Sequence, residues 1–179
     1  VGLAAASGLR VFLPILVLGS AARLGWIGLG SDFGWIASNV GLMTLAIASS
    51  AEVAAYYLPA IDNALDVIAG PAAVVAGIIM LAAMTADLPA PVRWSLAIIA
   101  GGGTAGIVQS LTTIARLKST GFTAGLANPL LATLELVGAA GMSLLAVLAP
   151  VVAVSLLFVV VLILRRIIRP LRQKTRPVS

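Results

Sequence analysis

Three charged side chains stand inside otherwise apolar stretches: Arg10, Glu52 and Glu135. Arg10 lies between Leu9 and Val11-Phe12-Leu13, so no sequence neighbour can solvate it. A charge placed there costs about 2.5–3.5 kcal/mol in a bilayer and is tolerated when it faces a bundle interior and an opposite charge. The guanidinium stays protonated, and an acid in another apolar stretch offers it a bidentate partner. The expectation is that Arg10 is buried and paired with Glu52 or Glu135. Two kinds of chemistry follow from such residues: binding of a polar solute or ion, or an ion pair that clamps helices together.

The remaining polar candidates are uncharged. Gln109 and Thr112 follow Gly101-Gly102-Gly103 and could line a path or bond across helices. The glycines themselves permit either a break that opens backbone groups to a cavity or a very close helix contact. Asn39 and Asn128-Pro129 read as helix starts, with Asn as the cap and Pro in the first turn; Asn128 is also a candidate binding residue. Asp62, Asn63 and Asp66 read as a solvated loop. Catalysis has little to work with. The chain has no Cys and no His, which removes thiol chemistry, thiolate metal sites and His-ligated metal or haem. No lysine follows the glycines as in a phosphate-binding loop. Gly28-Leu29-Gly30-Ser31-Asp32 only superficially matches an intramembrane aspartyl protease signature. The reading is no enzyme, no catalytic residue, no metal and no cofactor.

The elements that must position these residues are set by composition. Of 179 residues 61% are hydrophobic and only 9% charged, with a mean hydropathy of +1.15. A soluble domain has about 25% charged residues, and this chain has too little polar surface to cover a core in water. Lipid needs no such covering. Spans need roughly 20 apolar residues, and the breakers fall at about that spacing. The reading is an all-α bundle of six spans: Gly2–Leu24, Asn39–Leu58, Asp66–Ala86, Val92–Leu117, Asn128–Leu148 and Val151–Ile168. Residues 1–168 form a single transmembrane domain, and 169–179 a basic cytoplasmic tail. Ser20-Ala21-Ala22 after the apolar run Val11–Leu18 resembles a signal-peptidase site; Pro14 and the apolar stretch before Arg10 fit a broken spanning helix better.

With 11 Lys and Arg against 6 Asp and Glu the net charge is +5. Most of the basic residues sit in the tail, so the charge reads as membrane topology and not as a nucleic-acid surface. Arg116, Lys118, Arg165, Arg166, Arg169, Arg172, Lys174 and Arg176 fall on one side, Arg23 and Arg93 on the other. The Lys/Arg bias then places both termini in the cytoplasm, with Trp26, Trp35 and Trp94 at the opposite interface. The partners implied are the bilayer, anionic lipid at the tail, and a second copy or another membrane protein. The Asn-led runs at Asn39 and Asn128, each span closing near a proline (Pro59, Pro150), allow a 3+3 inverted repeat of 1–88 and 89–168.

Several of these residues together resemble one family. Gly8-Leu9-Arg10-Val11-Phe12-Leu13-Pro14 is similar to its opening motif. Glu52 to Pro59 with Asp62 and Asp66 is similar to a second, and Leu126-Ala127-Asn128-Pro129-Leu130 through Glu135 to a third. The family is the bacterial membrane family catalogued as domain of unknown function four-one-two-six. The resemblance spans nearly the whole chain and implies no activity. Tyr56-Tyr57 stands where members often carry Asp-Lys, Gln109 and Thr112 where they often carry His and Lys, and Leu136 where an Asp is common. Arg10, Glu52 and Glu135 remain. The leading functional expectation is a transporter or channel for a small solute or ion, motivated by the intramembrane charges and the repeat. The alternative is a non-transporting scaffold or accessory subunit whose charges serve assembly.

Overall fold

The computed structural model describes residues 1–57, 59–123, 126–150, 152, 155, 158–160 and 162, with the backbone alone over 58–67 where it is described. Every regular element among them is helical: α1 (Gly2–Ser7), α2 (Phe12–Arg23), a 3₁₀ turn (Ser31–Ala37), α3 (Asn39–Tyr56), α4 (Pro59–Met84), α5 (Ala90–Thr123) and α6 (Asn128–Leu148). Two of these, α5 and α6, are long and apolar enough to cross a membrane, and the 3₁₀ turn with α3 forms a third candidate bent by 60°. Shorter apolar helices run over Phe12–Arg23 and Ile68–Met84. Such helices are consistent with a membrane protein.

The break expected in the first span is present, but the two pieces do not continue one another across the bundle. Gly2–Leu24 is divided by Gly8–Val11 into helices of 6 and 12 residues. The packing shows that the chain turns back at this break. Leu9 meets Gly138, and Arg10 meets Ala132 and Glu135, so α1 arrives travelling toward the N-terminus of α6. Beyond the turn Val11 and Phe12 sit at Glu52 while Gly19 meets Leu42, so α2 departs antiparallel to α3. The C-terminal end of α3 lies beside the N-terminal end of α6, where Tyr57 and Thr133 share a hydrogen bond of 2.9 Å. α1 and α2 are thus the two legs of a hairpin whose tip is Gly8–Val11. The correction also removes the first member of the six-span count on which a shared side for both termini rested.

A short helix with no polar face can be stable only inside a bundle. All six residues of α1 are buried, and it packs against α2, α4, α5 and α6. Gly8 makes the close approach possible, because a Cβ there would meet Ala105 O and Val108 Cβ of α5 at 2.6 Å. Non-helical backbone among apolar helices is tolerated when protein encloses it, and at this tip Gly8, Arg10 and Val11 are buried.

The other elements follow the sequence more closely. α3 begins at Asn39 and α6 occupies Asn128–Leu148, as expected. The cap of α3 is Ser38, however, whose hydroxyl accepts from Gly41 N at 3.0 Å; Asn39 is the first helical residue and faces out. Asn128 does not cap either, since Ala127 holds that position and Asn128 is buried. α4 already includes 59–65, which had been read as a loop, and α5 continues through Lys118 to Thr123. The side chains of Asp62, Asn63 and Asp66, the expected sixth span beyond a few of its residues, and the tail lie outside the described residues.

α5 contains a π-helical stretch, Ala97–Gly102, packed on α4. Gly101 and Gly77 face each other there so closely that a Cβ on either would meet the other's carbonyl oxygen, at 2.5 and 2.7 Å respectively. Gly101 and Gly102 take the close-packing role of the two open to the glycine triplet, while Gly103 meets no neighbour. At the far end of the bundle the three tryptophans are exposed. Arg93 on α5 pairs with Asp32 of the 3₁₀ turn at 3.7 Å and lies 5.7 Å from the Trp94 ring.

Candidate functional site

The site forms where the hairpin tip meets the C-terminal ends of α3 and α5 and the first turns of α6. α3 delivers Glu52 and Tyr56, four residues apart and therefore on one face. That face is the buried stripe Gly41, Leu45, Ser49, Glu52 and Tyr56. α5 delivers Arg116 and α6 delivers Glu135, and both are buried. The tip itself delivers Arg10, which is 1% exposed.

Glu135 is the hub. Its carboxylate accepts two hydrogen bonds from Arg116, Nε to Oε1 at 3.0 Å and Nη2 to Oε2. The paired donors make a bidentate fork, the geometry in which an Arg–carboxylate contact is strongest. Arg10 Nη2 stands 3.7 Å from the same Oε2 and donates to Ala132 O at 2.7 Å. The ion pair expected between Arg10 and Glu135 is present, but Arg116 holds the better share of the carboxylate.

Glu52 serves a different partner. It accepts from Val11 N at 2.7 Å (Oε1) and from Phe12 N at 3.1 Å (Oε2). These amides open α2, where the first N–H groups have no partner in the helix. A carboxylate is favoured there both as acceptor and by the positive end of the helix dipole. Glu52 thus ties the hairpin tip to α3. Tyr56, one turn on, places its ring 4.0 Å from the Arg10 guanidinium carbon and 4.3 Å from that of Arg116. An aromatic face stabilises a guanidinium at such a distance.

Arg10 remains incompletely served. Its Nε and Nη1 are buried and have no hydrogen-bond partner. A buried polar donor left unpaired is costly, and donors on a full positive charge more so. A cavity of about 420 Å³ opens between α2, α3 and α4, bordered by Glu52 and Tyr56 but not by Arg10 itself. Val11, Phe12, Ile68 and Ala72 line it as well.

The other sequence candidates fall outside the cluster. Gln109 is buried on α5 two turns before Arg116, with Nε2 3.5 Å from Thr113 Oγ1. It lines a separate cavity of about 370 Å³ with Gly70, Ser110 and Thr113. Thr112 donates to Gln109 O at 2.9 Å. Asn128 lies two turns before Glu135, and its Nδ2 donates to Thr120 Oγ1 at 3.3 Å, bridging α6 to α5. Sequence reasoning did not find Arg116, which counted as an interface charge, or Tyr56. The spacing of Tyr56 from Glu52 was the available signal; nothing in the local sequence of Arg116 pairs it with Glu135. Among the described residues no group of His, Cys, Asp and Glu could hold a metal ion.

The family model described as Domain of unknown function (DUF4126) matches residues 1–170, and the chain belongs to that family. No curated protein and no solved structure matches it.

Proposed function

We propose that this family member moves a small solute or ion across the bacterial inner membrane, binding it at the tip of the α1–α2 hairpin. The observation that carries the reading is Arg10, buried with two guanidinium nitrogens unpartnered beside Glu52 and Tyr56. An ion pair selected only to clamp helices gains most when all its donors are satisfied. A binding site keeps donors open for its ligand. Helices interrupted inside the bundle, with their ends turned on a polar cluster, are also a recurrent way of building a transport site.

In this reading the substrate lodges at Arg10, beside Glu52 and Glu135, with Tyr56 and Arg116 setting their positions. Asn128 flanks the cluster on α6, and Gln109 borders a second polar cavity further along α5. The cluster end faces the cytoplasm and the tryptophan end faces outward. The sixth span belongs to this proposal as well; the 3+3 inverted repeat does not, because the hairpin leaves the first half only α3 and α4 as crossings.

Purified protein in liposomes, challenged with a panel of inorganic ions and small metabolites, tests it. At least one solute should cross faster than in protein-free liposomes, and Arg10→Gln should abolish that flux. No flux for any member of a broad panel, with the protein folded and inserted, would turn the reading toward a scaffold.

A further inference from the structure

We infer that the site takes an oxyanion, bound through the open N–H groups of Arg10. The inference deepens the transport reading by naming its substrate class, but the binding event can be tested without flux.

Both acids of the cluster are already engaged. Glu135 is engaged by both nitrogens of the Arg116 fork. Glu52 is engaged by two main-chain amides. Both acids therefore have primary partners other than Arg10, which retains a 3.7 Å contact to Glu135 and one carbonyl acceptor. Three N–H bonds, one on Nε and two on Nη1, point to no acceptor.

What completes a guanidinium is an oxygen acceptor, and a charged one most of all. A cation gains less here. Both carboxylates already accept hydrogen bonds, Glu52 in the otherwise largely apolar cavity wall from the Val11 and Phe12 amides and Glu135 from Arg116, and two guanidiniums lie within 4.3 Å of the Tyr56 ring. Water could fill the vacant donors, but the Arg10 side chain is 0% exposed, so a ligand must displace part of the wall to reach it. Tyr56 stands between the two: its ring lies 4.0 Å from the Arg10 guanidinium carbon, and the same residue lines the 420 Å³ cavity, which Arg10 does not reach. In this proposal an oxyanion entering the cavity reaches Arg10 by displacing the Tyr56 ring. A carboxylate or a phosphate offers the same chemistry, two or more oxygens on one negative centre.

The test uses the full chain in neutral detergent, so that no lipid phosphate competes. Sodium acetate and inorganic phosphate are titrated separately and binding is read by calorimetry and by thermal shift, with chloride held constant. Saturable binding of at least one of the two is expected, weakened about tenfold or more in Arg10→Gln, the scale of losing hydrogen bonds to a charged group. Arg10→Lys, which keeps the charge without the guanidinium geometry, should be weakened as well and guards against a variant that fails to fold. Binding of acetate but not phosphate assigns a carboxylate substrate, and the reverse a phosphate. Absence of saturable binding by folded wild type, or equal binding by wild type and a folded Arg10→Gln or Arg10→Lys, overturns the inference. Oxyanion binding without liposome flux would instead retain the site and remove transport. Flux confined to a cation would retain transport and remove the oxyanion.

Discussion

The contact between Gly77 and Gly101 gives the sharpest test of the packing that holds the site. Gly101, Gly102 and Gly103 are consecutive, yet their surroundings differ. A Cβ on Gly101 would lie 2.5 Å from Gly77 O and 3.1 Å from Leu81 Cβ. On Gly102 it would meet Ile78 Cγ1 at 2.9 Å, while on Gly103 it would meet nothing within 4 Å. Backbone cannot step aside alone, so Gly101→Ala must push α4 and α5 apart. The Ile78 side chain, by contrast, can rotate. Overpacking of this kind costs about 1–3 kcal/mol. Each alanine also gains up to about 1 kcal/mol in helix propensity, a term that largely cancels when variants in one helix are compared. Gly101→Ala should therefore fall below Gly103→Ala by about 1–3 kcal/mol, with Gly102→Ala between them. For a chain of this size that corresponds to roughly 2–12 °C in melting temperature. The assay is static light scattering during heating of purified protein in one detergent at one scan rate. Gly101→Ala melting within 1 °C of Gly103→Ala, on the order of a few tenths of a kcal/mol, would refute the reasoning.

Three further outcomes address the site and its supports. Glu135→Gln should destabilise the protein by about 3–5 kcal/mol, because two buried guanidiniums lose their counter-charge. In thermal-melt double-mutant cycles Glu135→Gln should couple more strongly to Arg116→Met than to Arg10→Gln, as the fork and the 3.7 Å contact require; equal coupling contradicts the geometry. Ser38→Ala should cost about 1 kcal/mol as a lost cap, whereas Asn39→Ala should change the melting temperature little, and the reverse ranking would return the cap to Asn39.

Much of the helical architecture was legible because apolar helices leave a plain mark on composition. Long apolar runs punctuated by Gly, Pro and Asn locate helices by composition, and the starts at Asn39 and Asn128 came out on the residue. The burial of Arg10 and its contact with Glu135 were also legible, since a guanidinium between apolar neighbours has few alternatives to an intramembrane acid. Ser38 and Asn39 show the limit of local rules. Both residue types cap helices well, and only the backbone of the preceding 3₁₀ turn, which leaves Ser38 extended, decides between them.

Tertiary structure decided the rest. A hairpin and a straight span have the same composition over Gly2–Leu24; what separates them is whether α4, α5 and α6 leave room for a buried leg, and Gly8 against Ala105 provides it. Arg116 carries no sign in its own stretch that it belongs to Glu135 and not to the interface, because ion-pair choice depends on which helix ends converge. Apolarity, length and the need to neutralise a buried charge are properties of single segments, and the sequence by itself determined them. The sharing of Glu135 between two arginines, the capture of Glu52 by the α2 amides and the open donors of Arg10 are properties of several segments at once, and only their packing in three dimensions creates them.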